Sequence, residues 1–148
     1  MSEERHVFAM TSVWNGDSDG QGSLEAEGRV TEYTRPWQLG GPKGKTNPEE
    51  FLVAAVVSCY CITLAVMAEG RRVPLTRIEM EAEGDVIRGE DKRLKFTAIR
   101  LKPTLHLDGA DEKIQTKALD MALKAEAYCL ISNAMRGNVE ITVEPSVA

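Results

Sequence analysis

The rhythm of hydrophobic and polar positions changes several times along the chain. Val7 to Trp14 mixes Val, Phe, Thr and Trp and stops at Asn15-Gly16-Asp17-Ser18-Asp19-Gly20, a dense cluster of turn formers, so the pattern predicts a strand and then a turn. Ser23 to Tyr33 alternates weakly, Leu24, Ala26 and Val30 standing against charged neighbours, as a half-exposed strand would. Together the two runs predict a hairpin. Trp37 to Lys45 contains Gly40-Gly41-Pro42-Lys43-Gly44 and reads as a loop. A helix start follows, with Asn47 as N-cap, Pro48 at the first helical position and Glu50 placed to reach back as in a capping box. This helix is expected to run to about Glu69. Gly70 is placed to end it, Arg71 and Arg72 complement its carbonyl end, and Pro74 forbids continuation.

Two strand-like runs come next, Leu75 to Val86 and Leu94 to Leu107, joined through Arg88-Gly89-Glu90-Asp91-Lys92 as a second hairpin. Asp108 or Asp111 opens a second helix, whose apolar positions Ile114, Ala118, Met121, Ala122, Ala125 and Tyr128 follow the helical period. Cys129 falls near its end. A further helical turn through Met135 is closed by Gly137, and Val139 to Val143 alternates as a last strand before Pro145. The order predicts an α+β domain with antiparallel sheets packed on a long central helix.

Length and composition narrow the class. A chain of 148 residues suits a single domain spanning 1–148, with no repeat or linker to divide it. With 43% hydrophobic and 28% charged residues it resembles ordinary globular proteins rather than disordered or disulfide-rich ones. The formal charge of −5 gives no drive toward nucleic acid or an anionic membrane, so neither is an expected partner. Three cysteines, an odd number, argue for a reducing cytoplasm. The acidic start Met1-Ser2-Glu3-Glu4 does not read as a secretory signal.

The uncharged run from Phe51 to Ala68 has roughly the minimum length of a spanning helix. Ser58, Thr63, two thiols and the flanking Glu49, Glu50 and Glu69 favour a buried core helix over a membrane anchor. Its apolar circumference exceeds what one small sheet covers, which predicts a homodimer.

Cys59 and Cys61 point about 200° apart on that helix, so they cannot join in a disulfide or grip one metal ion. Adding Cys129, His6 and His106 does not repair the geometry, and no metal or other cofactor is expected. Taken singly, each thiol reads as a small core hydrophobe.

The run Thr46-Asn47-Pro48-Glu49-Glu50-Phe51-Leu52-Val53-Ala54-Ala55-Val56-Val57-Ser58-Cys59, followed much later by Cys129-Leu130-Ile131-Ser132-Asn133-Ala134-Met135-Arg136-Gly137-Asn138-Val139, resembles the OsmC/Ohr family of thiol peroxidases. Element order and length agree over nearly the whole chain. The resemblance implies an OsmC-like fold in an intertwined homodimer. It also implies that Cys59 attacks the peroxide, that Cys129 resolves it by forming a disulfide, and that Glu49 and an arginine organise the site. On that basis the expected substrate is an organic hydroperoxide and the expected partner a dithiol reductant, with a lipoyl-type donor among the candidates. Cys61 is left as a core residue.

A peroxidatic sulfur must be a thiolate. Cys59 lies roughly 18 Å beyond Asn47, too far for the start of its own helix to lower its pKa, so a cationic side chain is expected to do so. Arg35 in Thr34-Arg35-Pro36-Trp37 is the first candidate and Arg29 the second, since Asn15 to Gly22 lacks the arginine of the Ohr branch. Leu130 stands where a proline commonly follows the second cysteine, and Glu126 and Ala127 occupy the region of the Ohr-type histidine. By resemblance, these departures place the chain nearer OsmC, or a less typical OsmC-like branch, than Ohr. Trp37, Phe51, Tyr60 and several methionines serve either as a pocket for an alkyl hydroperoxide or as core. The alternative function is a non-catalytic small-ligand or stress-related module on the same fold.

Overall fold

The computed structural model describes residues 3–148. They gather into two compact units, one ending at Phe51 and the other running from Leu52 to Ala148.

The first unit carries β1 (Thr11–Asn15), β2 (Gln21–Ala26) and β3 (Arg29–Tyr33), paired antiparallel in that order. The first strand begins at Thr11, later than the expected Val7. The single strand expected from Ser23 to Tyr33 is two strands, because Glu27 and Gly28 both take positive φ (50° and 78°) and form a two-residue hairpin turn. Tyr33 ties this sheet together. Its ring lies across its cross-strand partner Gly22, stands 5.8 Å from Trp14 and 6.3 Å from Phe51, and its hydroxyl bonds Ser12 Oγ at 2.9 Å.

The glycine-rich loop contains a short 3-10 turn, Trp37–Leu39, and then leads to helix α1 (Pro48–Gly70). Asn47 caps that helix as expected, its Oδ1 accepting from the Glu50 N–H at 2.9 Å. The return half of the capping box differs, since the Glu50 carboxylate accepts instead from the Thr46 hydroxyl at 3.0 Å.

The second unit contains the body of α1 from Leu52 onward. It also holds β4 (Leu75–Arg88), β5 (Leu94–Leu107), α2 (Glu112–Tyr128), α3 (Leu130–Met135), β6 (Glu140–Val143) and β7 (Ser146–Val147). α1 includes Gly70, and its left-handed terminating residue is Arg72 at φ 58°. Asp111, not Asp108, is the N-cap of α2, accepting from the Ile114 N–H at 2.8 Å. β4 and β5 form the predicted antiparallel hairpin, but β6 and β7 both pair with β5 in parallel, which departs from a purely antiparallel sheet. The physical reason is connectivity. The chain leaves β5 through two helices, and such a crossover returns a strand in parallel.

Alternation along β5 buries Ile99, Leu101 and Leu105 while Arg100, Lys102 and Thr104 face away. Against the apolar face pack Val56, Tyr60, Leu64 and Ala68 of α1, spaced by four, and Ala118, Met121, Ala122 and Ala125 of α2. Three alanines on α2 let its backbone come close. The Tyr60 hydroxyl donates to the Ala122 carbonyl at 2.6 Å, and burial holds this phenol well above its ordinary pKa. Tyr60 is therefore core, not pocket. Tyr128, expected on the buried stripe of α2, is exposed because α2 ends there.

α1 is long and apolar enough to cross a membrane, yet one of its faces is in this core. Ala54, Ser58, Ile62, Ala65 and Val66 form an exposed stripe on another face.

Gly84 of β4 marks the tightest approach in this unit. A Cβ there would stand 2.6 Å from the Phe96 ring and 2.9 Å from a Val53 methyl. Gly84→Ala is expected to cost about 1–3 kcal/mol by overpacking, read as a lower denaturation midpoint; an unchanged midpoint would mean that Phe96 moves aside freely.

Candidate active site

The site begins with two helices locked together. Tyr60, next to Cys59 in sequence, is bonded to α2 at Ala122, so the position of Cys59 is set relative to the end of α2. At that end the helical path breaks. Cys129 has extended backbone (φ −76°, ψ 119°) and serves at once as C-cap of α2 and N-cap of α3, the further helical turn expected after the end of the second helix.

A polar clasp holds the break. Arg136 Nη2 donates to Glu126 Oε1 and to Asn133 Oδ1, both at 2.9 Å, and Asn133 Nδ2 donates to the Ala127 carbonyl at 3.2 Å. Asn133 and Arg136 thus bind α3 to the last turn of α2. The helical ladder of α3 resumes with the Asn133 N–H donating to the Cys129 carbonyl at 3.0 Å. The N–H groups of Leu130, Ile131 and Ser132 precede that bond and have no carbonyl within α3. Those of Leu130 and Ile131 lie near enough to the Cys59 sulfur to favour its anion.

This arrangement decides the state of the sulfurs. Partial burial pushes the Cys59 thiol up, but it is outweighed by hydrogen bonds from the Ile131 N–H, the Cys129 thiol, the Leu130 N–H and the Thr63 hydroxyl, so its pKa falls below the ordinary thiol value. Thr63 has a single proton, given in this geometry to the Cys59 carbonyl at 2.8 Å and available to the sulfur when that is charged. Cys129 is fully buried, and burial holds its pKa up despite the Ser132 hydroxyl and N–H beside it. Burial also raises Cys61, which is half-buried. Of the three thiols, Cys59 alone leans toward thiolate, and Cys129 is the donor within hydrogen-bonding reach. A nucleophilic sulfur beside a protonated partner thiol is equipped to attack an electrophile and then close a disulfide.

The other two expected site residues lie in the unit that ends at Phe51. Arg35 Nη2 donates to the Gly40 carbonyl at 2.7 Å and to Asp19 Oδ1 at 2.9 Å, while its Nε is buried without a partner among the described residues. Glu49 sits in the first turn of α1 with Oε2 buried and unpartnered among the described residues. Arg29, the second candidate cation, bonds its neighbour Glu27 at 3.3 Å on the surface. Trp37 is more exposed than buried, with the Lys43 ammonium 4.6 Å above its ring.

Residues 40–144 match the family of OsmC-like proteins. The chain belongs to that family. This OsmC-like protein is 33% identical over 144 residues to the uncharacterized protein YmaD of Bacillus subtilis, covering 96% of this chain and 95% of that one. It is 27% identical over 132 residues to the peroxiredoxin OsmC of Escherichia coli, with 86% and 89% covered. Among solved structures it resembles an organic hydroperoxide resistance protein OsmC from Legionella pneumophila, with a TM-score of 0.76 and 25% identity over 96% of this chain and 99% of that one.

In this OsmC-like protein the lowering of the Cys59 pKa has a source that sequence reasoning missed. No cation is among its causes; the donors are backbone amides at the start of α3, together with a thiol and a hydroxyl. The start of α1 remains too distant to contribute. Ser132 and the Glu126–Arg136–Asn133 clasp were likewise not singled out, although Ser132, Asn133 and Arg136 belong to the motif that follows Cys129.

The geometry predicts selective alkylation. Iodoacetamide at neutral pH is expected to modify Cys59 first, with a rate–pH profile centred below that of an ordinary thiol, while Cys61 and Cys129 lag. A profile centred at or above that of a free cysteine would contradict the amide-stabilised thiolate.

Proposed function

We propose that this OsmC-like protein is a cysteine-based thiol peroxidase that reduces organic hydroperoxides to alcohols. The observation that supports it most is the Cys59 sulfur, partly exposed and biased toward thiolate, with the Cys129 thiol in reach. Cys59 attacks the terminal peroxide oxygen; the O–O bond breaks, the alkoxide takes a proton and leaves as the alcohol, and Cys59 becomes a sulfenic acid. Cys129 then displaces hydroxide from that sulfur, water is released, and a Cys59–Cys129 disulfide forms. An external dithiol reopens the disulfide and is itself oxidised. The names carried by the Escherichia coli and Legionella relatives support both the reaction and the organic substrate. A pair that must cycle through the reduced state suits the cytoplasm.

Arg35 is proposed to bring positive charge to the peroxide, and Glu49 to orient it. Each has a buried polar atom without a partner, an arrangement that calls for a further group to complete it. Along one helix Glu49 and Cys59 are separated by roughly 15 Å of rise and about 280° of rotation, so they do not meet on one small substrate. Glu49 therefore acts on the Cys59 of a second copy, and the protein is a homodimer. The exposed stripe through Ala54, Ile62 and Val66 on α1 needs such a cover, as does Phe8, which is 95% exposed.

Three outcomes are expected. Peroxide treatment joins Cys59 to Cys129 and spares Cys61; peptide mapping that found Cys61 in the main disulfide would overturn the assignment. Cys59→Ser abolishes peroxide consumption, whereas Cys129→Ser completes one round and then accumulates sulfinic acid on Cys59, and full turnover by Cys59→Ser would end the peroxidase reading. Mixing Cys59→Ser with Glu49→Ala protein under subunit exchange restores one of the two sites in each mixed dimer. A monomer in sedimentation, or no recovery after proven exchange, would show that the site lies within one chain.

A further inference from the structure

Every other serine or threonine hydroxyl within the helices, among the described residues, is occupied by the backbone one turn earlier. Ser58 donates to Ala54, Thr63 to Cys59 and Thr116 to Glu112, all carbonyls four residues back. Ser132 has no such acceptor. The residue four back, Tyr128, lies on the far side of the extended break at Cys129, in α2. Its hydroxyl oxygen is completely buried and makes no aligned hydrogen bond. A buried unpartnered hydroxyl is uncommon and calls for an explanation.

Position supplies one. Cys129 is the N-cap of α3 and Ser132 its third residue, the spacing at which a cap side chain and the later side chain face each other. Both are fully buried, so no water competes for the space between them. The Ser132 N–H and hydroxyl both stand near enough to the Cys129 sulfur to favour its anion, though in the thiol state they complete no standard cap bond.

We propose that Ser132 is the positioning residue of the resolving cysteine, its hydroxyl donating to the Cys129 sulfur whenever that sulfur carries negative charge. This rests on the peroxidase reading for its first step only. There the Cys129 thiolate attacks the Cys59 sulfenic acid, the S–O bond breaks, and the departing hydroxide combines with the proton that Cys129 has given up. The second step needs only the disulfide. Cys129 has no exposed surface, whereas Cys59 has some, so an external thiolate attacks the Cys59 sulfur. The S–S bond breaks with its electron pair going to Cys129, the thiolate that Ser132 receives. The second thiol of the external dithiol then displaces Cys59.

Ser132→Ala removes one oxygen and leaves no partner orphaned, so it is expected to fold. Ser132→Thr, which keeps the hydroxyl, is the rescue variant. The first arm follows conversion of the Cys59 sulfenic acid to the disulfide by rapid quench and mass spectrometry across pH. The second forms the disulfide with diamide, without peroxide, and times its opening by dithiothreitol. Ser132→Ala is expected to slow both about tenfold, the effect of one lost hydrogen bond to a charged sulfur, and to move the resolving step's pH profile upward. The first attack on peroxide is expected to be unchanged, sulfinic acid to rise under excess peroxide, and Ser132→Thr to recover the parental rates. Parental rates and a superimposed pH profile for Ser132→Ala in both arms would overturn the proposal while leaving the peroxidase reading intact. A parent protein that consumes no peroxide, combined with slowed opening of the diamide-formed disulfide in Ser132→Ala, would overturn the peroxidase reading and uphold the role of Ser132.

Discussion

Three amide N–H groups at the start of α3 have no carbonyl to bond, because the backbone at Cys129 is extended, and all three lie near enough to a sulfur to favour its anion. Helix beginnings usually settle such donors with the oxygen of a Ser, Thr, Asp or Asn side chain. A cysteine at this position makes a poor cap, so the donors of Leu130 and Ile131 remain available to a second thiol brought in by α1. The two large helices are therefore packed so that Tyr60, one residue from Cys59, reaches Ala122 on α2. The small side chains of Ala118, Ala122 and Ala125 allow that approach. Packing and electrostatics meet at one break in the chain.

The same break makes the two sulfurs unequal. Cys59 gathers donors and keeps a path to solvent, while Cys129 is sealed and remains a thiol. Two identical groups are pushed in opposite directions by their surroundings alone, the first toward thiolate and the second toward thiol. No positive charge is among the causes of this distinction.

Much of the fold was legible in local pattern. The caps at Asn47 and Asp111, the long β4–β5 hairpin and the buried face of α2 all follow from periodicity and capping chemistry. What escaped has identifiable causes. Glu27-Gly28 turns the chain without the Asn or Asp that usually announces such a turn. The parallel pairing of β6 depends on a crossover through two helices, a long-range property that strand propensity does not encode. A helix end near Cys129 was legible, but the extended backbone that makes Cys129 the N-cap of α3 was not, since neither Gly nor Pro stands in Ala127-Tyr128-Cys129-Leu130. Cys59 and Cys129 were singled out by the motifs around them, because spacing alone does not say that two distant thiols meet. The amides of Leu130 and Ile131 were invisible, since a backbone donor leaves no trace in the identity of its residue.

The hydrogen bond from Tyr60 to Ala122 has a mechanical consequence. It pins α1 at the residue beside Cys59, so that sulfur sits on a rigid post whose neighbours Val56, Leu64 and Ala68 are fully packed. α3 is only six residues long and is held to α2 by the polar clasp of Arg136, Asn133 and Glu126 near the surface. A short helix held by surface polar bonds yields more readily than a long one packed in the core, so α3 is the more adaptable of the two at this contact. The protein thus has a stiff side and a compliant side to one contact, and the compliant side carries the chain directly into β6 at the edge of the sheet.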